Sequence, residues 1–268
     1  MKVYVVCDLE GTAGVVDFKL QCMEGERYYQ QAIRMATEEL NALVEGALEG
    51  GASEVYAWPG HGGFPGGIDV ELLHPECRLV MHAGDAGPVG FDESFDCMML
   101  CGLHAKAGTE GGVLSHSFVP FIEGFWVNGA SMGEIGVNML AFGEAGVPTV
   151  LVSGDQAAVD EARALVPGIE GAPVKWGLGE KEKLGALSVR RAVTLSPAKA
   201  QRVIREAARI AIGRIGEIEP IRVERPYTIR VQYIEEKYAE RAMQMGGIRR
   251  GDGRTIEQVR ERISDFII

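Results

Sequence analysis

The chain has 268 residues, 46% hydrophobic and 24% charged, enough for one large domain or two modest ones with a substantial core. A net charge of −11 is the opposite of the basic face that phosphate binding needs, so nucleic acid is excluded as a partner, whereas a metal or an amine-bearing substrate is compatible. No apolar run approaches the roughly 18 residues of a membrane span, no secretory leader precedes the first strand, and Cys7, Cys22, Cys77, Cys97 and Cys101 read as reduced, buried thiols, so a cytoplasmic protein is expected.

Residues 2–7 form an apolar strand. After a loop, a helix is expected from about Glu24 to Glu49, with Ile33, Leu40, Leu43, Val44, Ala47 and Leu48 at helical spacing and Gly50-Gly51 as its stop. Glu54–Trp58 is the next strand and runs into the glycine-rich loop 59–67. A short strand at Leu79–Met81 and a longer buried one at Phe95–Cys101 follow, then a polar, glycine-rich stretch to His116. Phe125–Gly129 reads as a hairpin arm with its turn, Ser131–Glu144 as a helix, Val150–Val152 as a core strand ending at Ser153-Gly154-Asp155, and Ala157–Leu165 as a helix. This alternation predicts an α/β fold, a three-layer α/β/α arrangement on a mostly parallel mixed sheet. Composition shifts near residue 170; a long amphipathic helix over 197–213 and mixed strand-like and helical pieces from Tyr227 follow. The expected organisation is a metal-binding α/β core over 1–170 with an α+β part over 171–268 packed on it, not an independent domain.

The chemistry-bearing residues sit at strand ends. Asp8 and Glu10, directly after the first strand, are two residues apart, so on extended backbone their carboxylates share a side. Such a pair either takes up a turn cap and a solvated position or shares a cation that relieves repulsion and desolvation. His61 follows the strand 54–58 and His104 the strand 95–101. If these strands are parallel neighbours, Asp8, Glu10, His61 and His104 meet at the carboxyl edge of the sheet, where open α/β folds bind ligands, and the metal reading prevails. His116 lies in Leu114-Ser115-His116-Ser117, where the small serines leave room and can hold its tautomer. Ser131-Met132-Gly133-Glu134 matches a capping box, but a helix start aimed into the crevice would equally deliver the Glu134 carboxylate to a metal; periodicity does not choose. His74 and His82 lack the strand-end setting, and the pair Cys97/Cys101 reads as core rather than a metal site.

Asp8-Leu9-Glu10-Gly11, Gly60-His61, Leu73-His74-Pro75, Gly102-Leu103-His104-Ala105, Leu114-Ser115-His116-Ser117 and Gly133-Glu134-Ile135-Gly136-Val137-Asn138, in this order, resemble the M55 peptidases, the zinc D-aminopeptidases first described as dipeptide-transport proteins. Gly154-Asp155 and Leu195–Ala200 also look like that family, and the resemblance thins beyond about residue 212. It implies two zinc ions per subunit, with Asp8 bridging and Glu10, His61, His104 and Glu134 completing the two ligand sets. It also implies His116 as the catalytic residue and a homo-oligomer, a decamer of stacked pentameric rings whose inner chamber admits short peptides. The family usually has an Asn-Asp pair before the strand-end histidine; Trp58-Pro59 stands here, which bears on substrate preference more than on metal binding.

The leading expectation is therefore a zinc-dependent aminopeptidase acting on short peptides, D-residue peptides among them. A metal-dependent amidase on a non-peptide amide and a non-catalytic peptide-binding accessory of a transporter are the alternatives. Paired metals acidify water and polarise a carbonyl, the two needs of amide hydrolysis. Asp155 is a candidate partner for the substrate's α-amine. A nucleotide-binding loop is excluded, since Gly60–Gly67 lacks a Lys-Ser/Thr ending and the first strand lacks GxGxxG.

Overall fold

The computed structural model describes residues 1–64, 66–81, 87–184 and 187–268, with backbone alone over 181–184 and 187–190; His82 lies outside the described residues. The elements in chain order are β1 (Lys2–Cys7), α1 (Phe18–Cys22), α2 (Tyr29–Glu49), β2 (Glu54–Pro59), β3 (Cys77–Leu79), β4 (Cys97–Leu103), β5 (Ile122–Val127), β6 (Ala130–Ser131), α3 (Glu134–Glu144), β7 (Thr149–Asp155), α4 (Gln156–Leu165), β8 (Glu170–Leu184), β9 (Leu187–Thr194), α5 (Pro197–Ile212), β10 (Tyr227–Tyr233), α6 (Glu236–Met243), β11 (Ile248–Asp252) and β12 (Thr255–Arg260). The main sheet runs β3-β2-β1-β4-β7-β8-β9, parallel throughout except for the final β8–β9 hairpin.

The order explains the layers. The chain leaves β1 for β2 on one side and later leaves β4 for β7 and β8 on the other, and right-handed crossovers then put α2 on the face opposite α3 and α4. α5 returns to pack along α2. Strands buried on both faces must be apolar along their length, as Val3–Cys7 and Cys97–Leu103 are. The strand order reverses between β1 and β4, and this opens a crevice at the carboxyl ends of β1, β2 and β4.

A second, antiparallel sheet, β11-β12-β10-β5-β6, has its own core of Ile122, Phe125, Val127, Ile229, Val231 and Ile256. α3 lies between the two cores: Ile135, Met139 and Phe142 face the first, Val137, Leu140 and Ala141 the second. Its first residue, Glu134, therefore stands where both sheets and the crevice meet. The second sheet draws strands from both sides of residue 170, and residue 170 itself opens β8 inside the main sheet.

Several boundaries differ from the sequence expectation. The helix expected from Glu24 begins at Tyr29, because Asp17 caps the separate short α1 and the chain then turns through Gly25 at φ +81°. The helix expected from Ser131 begins at Glu134, because Ala130 and Ser131 pair with β5. The strand expected at Leu79–Met81 lies at Cys77–Leu79, paired with β2.

Candidate active site and metal centre

Backbone bonding between the parallel strands holds the acidic loop to the histidine loops. The Asp8 amide donates to the Cys101 carbonyl at 2.8 Å, and the Gly60 amide to the Cys7 carbonyl at 2.8 Å. Gly102 takes a left-handed φ of +72°, which sets off the register of β4 against β7 and turns the chain toward His104. A Cβ there would stand 2.4 Å from the Asp8 carbonyl oxygen, so only glycine fits. Asp8 and Glu10 do meet on one side, but through a turn rather than through strand alternation, since β1 ends at Cys7 and the Leu9 amide donates to Asp8 Oδ1 at 2.8 Å.

Asp8, Glu10, His61, His104 and His116 are all buried, and Glu134 joins them. His61 donates from Nε2 to the Cys22 carbonyl at 2.8 Å, which turns Nδ1 to Glu10 Oε2 at 2.9 Å and Asp8 Oδ1 at 3.6 Å. His104 donates from Nδ1 to the Ala105 carbonyl at 3.0 Å, leaving Nε2 to face Asp8 Oδ2 at 3.3 Å and Glu134 Oε1 at 3.5 Å. Each ring is thus oriented by a backbone carbonyl on its far nitrogen, as metal-binding histidines usually are. Asp8 lies between the two histidines, one oxygen toward each.

Glu134 is not a capping residue. Gly133 is the N-cap, and Glu134 Oε1 accepts from the Phe118 amide at 2.6 Å while facing His104. His116 stacks on His104 with ring centres 3.9 Å apart and planes 14° apart. Its Nδ1 donates to the Leu114 carbonyl at 2.9 Å, so the backbone, not the flanking serines, sets its tautomer; Ser117 Oγ accepts from the Ala107 amide instead. Leu114 and Phe118 bracket His116 at φ +60° and +62°, and non-glycine residues in that region carry strain of about 1–3 kcal/mol each.

Carboxylates dominate the electrostatics of the cluster. Burial opposes charge on His61, yet Glu10 and Asp8 outweigh it and hold its pKa well above the ordinary value. Burial likewise opposes charge on His104, and Glu134 and Asp8 overcome it. Asp8 would be raised by burial, but its contacts with His104 and His61 hold it well below the usual carboxylate range. His116 goes the other way, lowered by burial and then by the adjacent His104, so it stays neutral with Nε2 as a base. Despite their proximity, Asp8 Oδ2 and His104 Nε2 are both buried without a hydrogen bond. Two sets, Asp8/Glu10/His104 and His104/His116/Glu134, bring potential ligand atoms within 4.8 Å of one another, and no cysteine enters such a set among the described residues. Carboxylate and imidazole donors with orphaned atoms aimed at each other fit zinc.

Asp155 does not face a substrate. It is fully buried, its Oδ1 capping α4 through the Ala158 amide at 2.7 Å and its Oδ2 accepting from the Val113 amide at 2.6 Å, which leaves no oxygen for an amine. The residue that sequence reasoning missed is Lys175 in β8, fully buried, whose ammonium donates to the backbone carbonyls of Glu10, Thr12 (3.1 Å) and Val15 (2.6 Å). It ties down the loop that carries both acids. Glu39 of α2 holds the same loop by accepting from the Ala13 amide at 2.9 Å.

A crevice at a strand-order reversal, carrying carboxylates and backbone-oriented histidines around cation-seeking atoms, defines a metallohydrolase of the α/β class. The model of the peptidase M55 family, D-aminopeptidase, matches residues 1–267, and the chain belongs to that family. It is 32% identical over 263 residues to a D-aminopeptidase of Bacillus subtilis (strain 168), covering 96% of this chain and 90% of that protein. Among solved structures, the Zn-dependent D-aminopeptidase DppA from Bacillus subtilis, a self-compartmentalizing protease, is 30% identical and superposes with a TM-score of 0.86 over 99% of this chain and 93% of its own. The protein is a metallo-aminopeptidase.

Proposed function

We propose that the protein removes the N-terminal residue from short peptides, D-residue peptides among them, with two zinc ions per subunit. The observation that carries this reading is the division of Asp8 between two histidines, with Oδ1 toward His61 and Oδ2 toward His104. Asp8 with Glu10 and His61 would hold one ion, and Asp8 with His104 and Glu134 the other. When bound, such a pair supplies an acidified water and a polarised scissile carbonyl.

The remaining work belongs to the chain. Asp8, Glu10 and Glu134 neutralise the cations, so His61 and His104 serve as neutral donors. The stacked, neutral His116 offers Nε2 as the general base that accepts a proton from the attacking water and returns it to the leaving amine. The self-compartmentalizing relative supports a ring-like homo-oligomer, for which we propose a decamer of stacked pentamers. Five buried, unpaired thiols support a reducing, cytoplasmic setting.

His116→Ala tests the assignment of roles. It is expected to keep both zinc ions and the oligomer while kcat on alanyl anilides falls by about 10²–10⁴-fold, the span of a lost general base. Loss of zinc in proportion to activity would make His116 a ligand instead.

A further inference from the structure

A cavity of about 430 Å³ adjoins the ligand cluster, with Asp8 and Glu134 in its wall. The rest of the lining is dominated by apolar side chains: Trp58 from β2, Phe118, Val137 of α3, and Phe266 near the C-terminal end. The Phe118 and Phe266 rings lie 4.9 Å apart at 51°, a packed aromatic wall. A Cβ on Gly60 would approach the Trp58 ring to 2.6 Å, so that glycine leaves space for the indole. α3 presents Glu134, Val137 and Asn138 at spacings of three and four residues, hence on one face toward the cavity. No lysine or arginine lines it among the described residues, so an acidic side chain would find no counter-charge there.

We infer that this cavity receives the side chain of the substrate's N-terminal residue and selects large apolar ones, leucyl and phenylalanyl before alanyl. The inference rests on the aminopeptidase reading above and goes beyond it. A scissile carbonyl held at the Asp8–Glu134 cluster places the adjoining side chain against this wall. An alanyl methyl leaves such a volume largely unfilled, whereas a leucyl or phenylalanyl group buries its whole surface. One methylene in an apolar pocket changes kcat/KM by about 10-fold or more, so a leucyl substrate is expected to exceed its alanyl counterpart by at least that factor.

The test is kcat/KM of the zinc-loaded full chain on alanyl, leucyl, phenylalanyl and glutamyl p-nitroanilides of both hands. The same set is run on Val137→Phe and Phe266→Trp, which fill the cavity. The expected result is a leucyl-to-alanyl ratio of about 10 or more in the hand that is cleaved, poor glutamyl turnover, and a ratio lowered about tenfold in a filled variant. The ratio is independent of the active fraction, and either variant suffices if the other does not fold. Alanyl turnover equal to or above leucyl, or a ratio unmoved by both variants, overturns the inference alone. Turnover of no aminoacyl compound overturns the aminopeptidase reading and the inference with it.

Discussion

Lys175→Met separates a structural lysine from one that shapes the metal site. The ammonium makes three bonds, to the carbonyls of Glu10, Thr12 and Val15, and has no solvent exposure. Bonds to a charged donor contribute about 1.5–3 kcal/mol each, while burying an ammonium costs several kcal/mol. Met leaves those carbonyls buried without their donor, at about 1–3 kcal/mol each, while loss of the ammonium relieves its own burial cost of several kcal/mol, so the two effects oppose each other and stability alone does not assign the role. Positioning is not offset in that way. Without the ammonium the loop from Asp8 to Val15 keeps its Asp8–Cys101 and Ala13–Glu39 bonds but loses the tie on the Glu10 carbonyl, and with it the orientation of Glu10 against His61. Losing a group that orients a ligand weakens metal binding by about 10–100-fold, or about 1.4–2.7 kcal/mol. Competition with a fluorescent zinc chelator measures this directly, with circular dichroism confirming the fold. Zinc affinity within about twofold of wild type, whatever happens to the melting temperature, would refute the positioning role, since that role requires at least the lower end of the span.

The two acids should behave unequally: Asp8→Ala is expected to lose both zinc ions and Glu10→Ala to retain one, read by elemental analysis per subunit, and equal full occupancy in both would show the pair to be structural. Glu39 supplies a pH signature away from the metals. Burial raises its pKa to about 7, because Oε2 has no partner while Oε1 holds the Ala13 amide. The folded pKa lies above the unfolded one, so the contribution is fully present below about pH 4.3 and is lost as pH rises toward 7. Glu39→Gln keeps the acceptor and cannot ionise. The wild type should therefore lose about 2–3 kcal/mol more than the variant between pH 5 and pH 8 in urea unfolding of the metal-free protein; parallel pH profiles would show that Glu39 ionises normally.

The gathering of Asp8, Glu10, His61 and His104 at one sheet edge is legible in the sequence because it depends on little but strand order. Apolar runs at 2–7, 54–58 and 95–101, each ending in Asp or His, needed only to be parallel neighbours, and β2-β1-β4 are. Glu134 was open, since Ser131-Met132-Gly133-Glu134 has the letters of a capping box; pairing of Ala130 and Ser131 with β5 removed Ser131 from the cap position, which no local pattern reveals. Lys175 was hidden for a different reason. A lysine among Val174, Trp176 and Gly177 reads as an edge-strand surface residue, and its burial follows only from the bulged pairing of β8 with β7, where Lys175 stands opposite Asp155. The long β8–β9 hairpin is not legible in the sequence because its glycines and charges give no clean alternation. Asp155 misled for the converse reason: a carboxylate at a strand end near the crevice looked available, and two backbone amides had already taken it.

The proposed hydrolysis requires zinc held by the Asp8 cluster, two ions to a subunit. Its most direct test is a titration of the chelator-stripped protein with zinc while aminoacyl anilide hydrolysis is followed. The stripped protein is expected to be inert, with activity rising to a plateau at two equivalents per subunit. Full activity after stripping would show that hydrolysis needs no metal, and a plateau at one equivalent would show that Asp8 does not serve two ions.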